Sequence, residues 1–314
     1  MGEERSSMGK IKRVVQKVAP LLVILIGIGI LCYPFIAQYL YQHQKDTEIK
    51  TYDAKVEQMD EDQIKKYFEE ARKYNIYLST HVFTLTDPFV GGIESADVEN
   101  YNDILNVEEN GVMGYVDIPC IDVYLPIYHG VSDLVLESGV GHMEASSFPI
   151  GGKSTHAVIP GHTGLSSAKM FTDLAEMNMD DLFYVHVLNK TFAYKVIDIR
   201  VVKPEDTEYL NIQKGKDLVT LVTCTPYGVN DHRLYVTGTR VPYSQKTHDS
   251  QEKKSIATDN EMKAYIKAFV IGLIVAVILI LLATIYSKLK QRKQKKLVGD
   301  KKEEPRIPPS AINR

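Results

Sequence analysis

The sequence predicts an all-β domain as the largest folded part of the chain, with helices before it. Short runs of β-branched and aromatic residues fill the stretch from Gly114 to Tyr243, separated by Gly, Pro, Asn and Asp, as in strands joined by turns. About 130 residues of this kind suit a barrel or a sandwich. In residues 46–80, apolar positions recur every three or four residues among Glu, Lys, Gln and Ala, which predicts one or two amphipathic helices.

Two apolar segments predict that the chain is held in a membrane at both ends. Residues 20–37 and 268–286 contain no charged side chain, and each is about as long as a bilayer core requires. Lys and Arg cluster before the first segment and after the second, so the positive-inside bias places both termini in the cytoplasm and residues 42–262 outside. The first segment lacks a good small-residue cleavage site, which favours a retained anchor over a signal peptide.

These patterns divide the chain into eight parts. In order, they are a basic cytoplasmic segment (1–17), a transmembrane helix (18–41), a helical stalk (42–80), a loop (81–105), the β-domain (106–243), a polar linker (244–262), a second transmembrane helix (263–287) and a basic cytoplasmic tail (288–314).

Charge is divided sharply along the chain, although the whole carries a formal net charge of only −3. Residues 42–262 hold 20 Lys and Arg against 35 Asp and Glu, a net charge of −15, whereas the remainder holds 17 against 5, a net charge of +12. An acidic exterior domain is soluble and gives no support to nucleic-acid binding.

The strongest local signal is the run from Thr220 to Arg233, TLVTCTPYGVNDHR. An apolar strand ends at Cys224, a loop rich in turn-forming residues follows, and a returning strand begins at His232. Pairing of the two strands places Cys224 beside Arg233 at one rim of a sheet. Most single cysteines are small core hydrophobes, but a neighbouring positive charge is typical of a reactive thiol.

A disulfide is the alternative for this cysteine. Cys120 lies in the strand-like run of residues 115–130 and is the only plausible partner, because Cys32 lies inside the first apolar segment. The odd count of three cysteines and the arginine beside Cys224 favour a free thiol.

A nucleophilic thiol needs an imidazole nearby, because an ordinary cysteine with a pKa of about 8.5 is mostly protonated at neutral pH. His162 follows an apolar strand and a Pro-Gly pair, so its ring is expected on a loop at a rim. His232 adjoins Arg233 in one strand, where consecutive side chains point to opposite faces. The other histidines show no spacing that indicates a metal site and are expected to be ordinary surface or core residues: His43, His81, His129, His142, His156, His186 and His248.

Several ordered motifs over residues 87–243 resemble those of sortases, in particular the class C, pilin-polymerising sortases of Gram-positive bacteria. They include NGVMGYVDIP, GVGHMEASSFPIGG, HAVIPGHTGL and TLVTCTPYGVNDHRLYVTGTR. The resemblance implies a sortase-like closed β-barrel with N-terminal helices and two flanking transmembrane helices. It also implies a catalytic triad of His162, Cys224 and Arg233. The chain departs from the usual family pattern at three positions: Cys120, Pro160 and Thr163.

The triplet Asp87-Pro88-Phe89 resembles the lid motif of class C sortases. Composition alone favours a plain connector for residues 81–103, which have no sustained period. The resemblance implies instead that residues 81–105 form a lid loop, in which Asp87 pairs with Arg233 and Phe89 covers Cys224 or His162. Such a lid would hold the enzyme closed until a pilin displaces it.

The function that the resemblance implies is cysteine transpeptidation in pilus assembly. Cys224 would attack the threonine carbonyl of an LPXTG-like sorting motif on a pilin subunit, and a lysine amine of another pilin would resolve the thioacyl enzyme. His162 would transfer protons, and Arg233 would hold the substrate backbone or the oxyanion. This chemistry needs no metal or organic cofactor. The expected location is the cell membrane, with the catalytic domain extracellular.

Other functions are weighed against this one. A sortase that attaches surface proteins to cell-wall peptide uses the same triad. A membrane-tethered, non-enzymatic β-domain would merely pack Cys224 in its core. A papain-like protease normally has its cysteine early and its histidine late, the reverse of the order here. A sortase substrate should carry an LPXTG-like pentapeptide before the second apolar segment, and residues 240–267 contain none.

Overall fold

A computed structural model defines residues 2–81, 83–90, 100–165 and 168–253, together with the helical positions 267, 270–272, 274, 275, 277, 286 and 290. The chain divides into two compact units, Met1–Ser255 and Ile256–Arg314, and the fold described below is that of the first. Apart from the isolated positions, the second predicted transmembrane helix (263–287), the basic tail (288–314) and residues 254–262 of the predicted linker lie outside the described residues. Residues 91–99 of the predicted lid loop also lie outside them.

Two long helices precede the sheet. Helix α1 spans Gly2–Glu57 without interruption and contains the first apolar segment, and α2 spans Glu61–Thr80. Helix α2 begins with a capping box, in which Asp60 Oδ1 accepts from the Gln63 amide at 2.8 Å and Gln63 Oε1 accepts from the Asp60 amide at 3.0 Å. Within the described part of the chain, no helix is both long enough and apolar enough to span a bilayer.

The helical region predicted as a stalk packs against the β-domain. The Tyr52 hydroxyl is fully buried, donates to the carbonyl of Met113 at 3.0 Å and accepts from the Leu188 amide at 2.8 Å. From α2, the Asn75 side chain donates to the Phe148 carbonyl at 3.0 Å and accepts from the Phe148 amide at 2.7 Å. Because buried polar groups must be hydrogen-bonded, these pairs fix the position of both helices on the barrel.

Eight strands form one curled sheet, which confirms the predicted all-β class. They are β1 Val112–Ile118, β2 Val123–His129, β3 Val140–His142, β4 Thr155–Pro160, β5 Leu182–Val187, β6 Lys190–Val202, β7 Asp217–Thr225 and β8 His232–Val241. The order across the sheet is β3-β2-β1-β5-β6-β8-β7-β4. The β2–β3 and β4–β7 pairs are parallel, and the others are antiparallel.

The barrel is nearly closed, where the resemblance implied full closure. A short helix, α3 (Asp133–Ser138), connects β2 to β3, and the chain just after β3 reaches the other edge strand, β4. There the Met143 amide donates to the Val158 carbonyl at 3.0 Å, and the Val158 amide donates to Ser146 Oγ at 3.1 Å. These bonds pair the backbone groups of Val158 on the edge strand β4, but they do not form a continuous ladder with β3.

Two predicted segments have a different local structure. Cys120 lies in a 3₁₀ turn, Pro119–Ile121, between β1 and β2, and not within a strand. Pro119 has no amide hydrogen to donate to a ladder, and Asp122 adopts a left-handed φ of 52°, so the chain reverses there. The predicted linker is helical at residues 245–253, with His248 buried against the barrel. Its polar composition concealed this helix because only one narrow face is buried.

Candidate active site

The β7–β8 hairpin brings Cys224 and Arg233 together as directly opposed residues of an antiparallel pair. Directly opposed side chains lie on one face of the sheet, close enough to interact. The loop between the strands is held by Val229 and Asn230, whose amides donate to the Pro226 carbonyl at 3.1 and 3.0 Å. The Arg233 guanidinium also caps this loop, because its Nη1 donates to the carbonyls of Asn230 and His232, each at 3.0 Å.

The parallel pairing of β4 with β7 places His162 beside Cys224. Pro160 is opposite Val222, and His162 and Cys224 are each two residues further along. The two segments stay hydrogen-bonded past the end of β4, since the Gly161 amide donates to the Val222 carbonyl at 2.9 Å. Thr223 Oγ1 donates back to the Gly161 carbonyl at 2.7 Å.

Gly161 is required by the packing just before the histidine. A Cβ atom at this position would lie 2.7 Å from a ring carbon of Phe171 and 2.9 Å from a methyl carbon of Val140. Both neighbours are fully buried, so neither can move away cheaply. The backbone of His162 is held further on, because its carbonyl accepts from the Phe171 amide at 3.0 Å.

The described part of the predicted lid lies directly on this site. Arg233 Nε donates to Asp87 Oδ1 at 2.8 Å, and Arg233 Nη2 donates to Asp87 Oδ2 at 2.6 Å. Both residues are buried, with 6% and 7% of their surface exposed. This is a bidentate, charge-assisted pair, which is the strongest geometry available to an arginine and a carboxylate.

Phe89 covers the same site from two residues further along the lid. Its ring centroid lies 5.9 Å from that of His162 and 5.2 Å from Arg233 Cζ. The base of the lid is fixed by Leu85, which packs into a small core cluster and whose carbonyl accepts from Thr207 Oγ1 at 2.7 Å. In this closed arrangement the guanidinium donors face the protein's own carboxylate.

The surroundings keep the sulfur of Cys224 protonated in the closed state. Burial raises the pKa of the thiol, the Arg233 charge opposes the rise, and the Asp87 carboxylate adds to it. The pKa of His162 is lowered by burial, although Asp133 and Glu137 of α3 act against this. A neutral thiol therefore lies near a neutral imidazole, and lifting the lid would take the Asp87 carboxylate away from the thiol and so lower its pKa.

The remaining candidates from the sequence lie apart from this arrangement. His232 is partly exposed, and its Nδ1 lies 2.8 Å from Asp231 Oδ1. Cys32, Cys120 and Cys224 are all free thiols. Cys120 is exposed, and its pKa is raised to about 12 by partial desolvation and by Asp181. Its thiol is thus a poor nucleophile at neutral pH.

A groove of about 380 Å³ leads to the histidine. Pro88 and Phe89 of the lid line it together with His162 and the acidic residues Asp133 and Glu144. Neither carboxylate was predicted from the sequence to lie near His162. Asp133 is the first residue of α3 and follows the N-cap Ser132, whose Oγ accepts from the Val135 amide. Nothing in the sequence indicates that α3 faces His162.

Comparison with known proteins identifies the family. Residues 116–241 match the family model described as a sortase domain. The crystal structure of Streptococcus pneumoniae sortase C is 41% identical, covers 63% of this chain and 97% of its own, and superimposes with a TM-score of 0.57. Sortase C1 of Streptococcus agalactiae is 39% identical over 64% of this chain and 98% of its own, with a TM-score of 0.59.

Two further relatives extend the comparison. Sortase C-1 of Actinomyces oris is 47% identical over 58% of this chain and 99% of its own, with a TM-score of 0.54. Sortase A of Staphylococcus aureus is 28% identical over 71% of this chain and 95% of its own length. The fold, the cysteine-bearing hairpin and these similarities agree, and the chain belongs to the sortase family of cysteine transpeptidases.

Proposed function

We propose that this protein is a class C sortase that joins pilin subunits. The observation that carries the proposal is the closed lid, in which Asp87 occupies the guanidinium of Arg233 while Phe89 covers His162. A sortase with such a lid is held inactive until a large substrate displaces it, which suits an enzyme that must wait for a folded protein subunit. The sequence identities of 39–47% to sortase C structures support the same class.

The proposed reaction follows from the three side chains. The Cys224 sulfur attacks the threonine carbonyl of an LPXTG-like motif, the bond from that carbonyl carbon to the next residue's nitrogen breaks, and a thioester forms. His162 takes the thiol proton as the sulfur attacks and gives it to the departing amine. The ε-amine of a pilin lysine then attacks the thioester, and His162 takes up its proton. The isopeptide bond forms as the carbon–sulfur bond breaks, and His162 passes the proton to the departing sulfur, which restores the thiol. Arg233 donates hydrogen bonds to the substrate backbone or to the oxyanion.

The proposed location is the cell membrane, with both termini cytoplasmic and the barrel outside. The support is the pair of uncharged apolar segments, 20–37 and 268–286, with basic residues at their outer ends. Reporter fusions near Asp249 and after Asn313 test this arrangement. An extracellular C-terminus would contradict it.

A sortase that anchors proteins to cell-wall peptide is the second candidate. It is favoured by the similarity to Staphylococcus aureus sortase A over most of that protein's length. The two candidates differ in the second substrate, which is a lysine of a pilin in one case and the amino group of a peptidoglycan peptide in the other.

One experiment separates these candidates. The full chain is incubated with a pilin domain that ends in an LPXTG-like motif and with an equimolar mixture of a lysine-bearing pilin domain and a cell-wall peptide. The masses of the products are measured by mass spectrometry. We expect an isopeptide adduct on the pilin lysine, and no adduct with Cys224→Ala. Transfer to the cell-wall peptide alone would favour the second candidate. Turnover by Cys224→Ala would contradict both.

A further inference from the structure

A second cluster of titratable side chains lies where the helix at residues 245–253 packs on the barrel. Asp117 belongs to β1, His186 to β5 and His248 to the helix. Tyr115 is opposite His186 in the β1–β5 ladder, so Asp117 and His186 lie on the same face of the sheet. One nitrogen or oxygen atom from each of the three residues lies within 4.8 Å of the other two.

One atom of this cluster is left without a hydrogen bond. His248 Nε2 lies 2.7 Å from Asp117 Oδ2, and both side chains are at least nine-tenths buried. His186 Nε2 is also buried and has no hydrogen-bond partner among the described residues. Buried polar atoms in native proteins are rarely unpaired, and one that is calls for an explanation such as a bound ion.

The outer hydrogen bonds turn both imidazoles in the direction that metal binding requires. His186 Nδ1 lies 3.1 Å from Thr191 Oγ1, and His248 Nδ1 lies 3.1 Å from the Tyr243 hydroxyl. His248 Nε2 donates to Asp117 Oδ2, and a metal ion would displace that hydrogen. With each Nδ1 carrying its hydrogen, each Nε2 would then present a lone pair toward the cluster. Metal-binding histidines almost always have such a partner on the second nitrogen.

Aromatic stacking fixes the same ring orientations. The His186 ring stacks on Tyr115 with a centroid distance of 4.4 Å and an angle of 10°. The His248 ring stacks on Tyr184 at 3.9 Å and 28°. Two rigid imidazoles therefore face one carboxylate.

We propose that Asp117, His186 and His248 bind a divalent transition-metal ion of the zinc type. Two imidazole nitrogens and one carboxylate oxygen suit zinc better than calcium or magnesium, which prefer sites made of oxygen atoms. Glu252, whose Oε1 lies 3.7 Å from His248 Nε2 and whose side chain is half exposed, is placed to supply a fourth ligand. The metal would join the helix that leaves the barrel to strands β1 and β5.

Spacing along the sequence does not reveal this site. Asp117, His186 and His248 lie on two strands and a helix that are far apart in the chain, and none of these three is at a metal-binding interval from another. The site uses none of the residues of the candidate active site, so it stands or falls independently of the proposed transpeptidase activity.

Cobalt provides a direct test. The full chain is treated with a chelator, dialysed and titrated with Co²⁺, which reports its ligands by visible absorption. We expect d–d absorption that saturates at one equivalent of Co²⁺ and shows no thiolate charge-transfer band. Addition of equimolar Zn²⁺ should abolish this absorption. His186→Gln should weaken binding by at least roughly tenfold, whereas the matched control His43→Gln, at an exposed histidine of α1, should bind like the wild type.

Thermal melting with and without Zn²⁺ separates metal binding from a purely structural role. Zn²⁺ should raise the melting temperature of the wild type, and His186→Gln should lose this increase whatever its own melting temperature is without metal. His248→Gln serves as the second variant should His186→Gln fail to fold. The proposal is overturned if the wild type gives no d–d absorption, if thiolate charge transfer places the metal on a cysteine, or if both histidine variants keep wild-type affinity.

Discussion

Replacing Asp87 with alanine should open the lid and expose the thiol of Cys224. The lid is held by two charge-assisted hydrogen bonds, at 2.8 and 2.6 Å, between buried Asp87 and Arg233. Phe89 adds the contact of a half-buried ring with His162. These contacts join the loop to the rim of the barrel and take no part in the pairing of strands. Their loss should therefore favour the open lid while the eight-stranded barrel keeps its cooperative melting transition.

The size of the effect follows from the bonds that are lost. Hydrogen bonds to charged groups contribute about 1.5–3 kcal/mol each. Arg233 keeps its two bonds to backbone carbonyls and becomes hydrated when the lid lifts, so we expect a net loss of about 2–3 kcal/mol. This corresponds to a roughly 30- to 140-fold larger open population. Phe89→Ala should remove about 1–2 kcal/mol of the free energy that burial of the ring contributes to lid closure. The open population should then rise roughly 5- to 30-fold.

Stopped-flow labelling of Cys224 by a small thiol reagent measures the open population. Cys120 and Cys32 are replaced by serine in every protein compared, so that only one thiol reacts. Burial and the Asp87 carboxylate raise the thiol pKa, so Asp87→Ala should also move the midpoint of the labelling rate to lower pH. Val90→Ala is the matched control, because Val90 lies on the same loop with 60% of its surface exposed.

Equal labelling rates in the wild type, Asp87→Ala, Phe89→Ala and the Val90→Ala control would refute this reasoning. The segment would then be a connector that touches the site without closing it. A faster rate in Phe89→Ala alone would mean that the ring, and not the ion pair, limits access to the sulfur.

Further predictions concern the site and the core. Cys224→Ala should abolish thioacyl formation, detected by mass spectrometry, and leave the melting temperature nearly unchanged, because this side chain is only half buried. His162→Ala should be inactive and His232→Ala nearly as active as the wild type in peptide cleavage; the opposite result would assign the imidazole to His232. Arg233→Lys should lower kcat/KM at least roughly tenfold, because lysine lacks the planar fork; an unchanged value would remove Arg233 from the mechanism. His156 is buried, with its pKa lowered from 6.5 to about 4, so the unfolded chain takes up a proton that the folded protein does not. Stability should therefore fall as pH drops from 6.5 toward 4, by up to about 1.4 kcal/mol per pH unit for this group, and denaturant unfolding of His156→Gln should show a shallower slope; an unchanged slope would contradict the assignment.

The sequence by itself determined the class of the fold and the residues of the hairpin. Alternating β-branched residues on both sides of a Pro-Gly-Asn-Asp loop specify two strands that pair locally, and local pairing fixes which residues oppose each other. This is why the proximity of Cys224 and Arg233 was predictable. The pairing of Asp87 with Arg233 was predicted only from the resemblance of residues 87–89 to the lid motif of a known family, because the two residues are far apart in the chain.

Only the tertiary structure decided the contacts between distant segments. The parallel pairing of β4 with β7 brings His162 level with Cys224, and no local pattern encodes a pairing across that many residues. The polar segment after the barrel was predicted as a linker, but His248 makes it a packed helix by reaching Asp117. The cluster of Asp117, His186 and His248 could not be predicted from the sequence for the same reason, because side chains on separate elements converge only when the sheet closes.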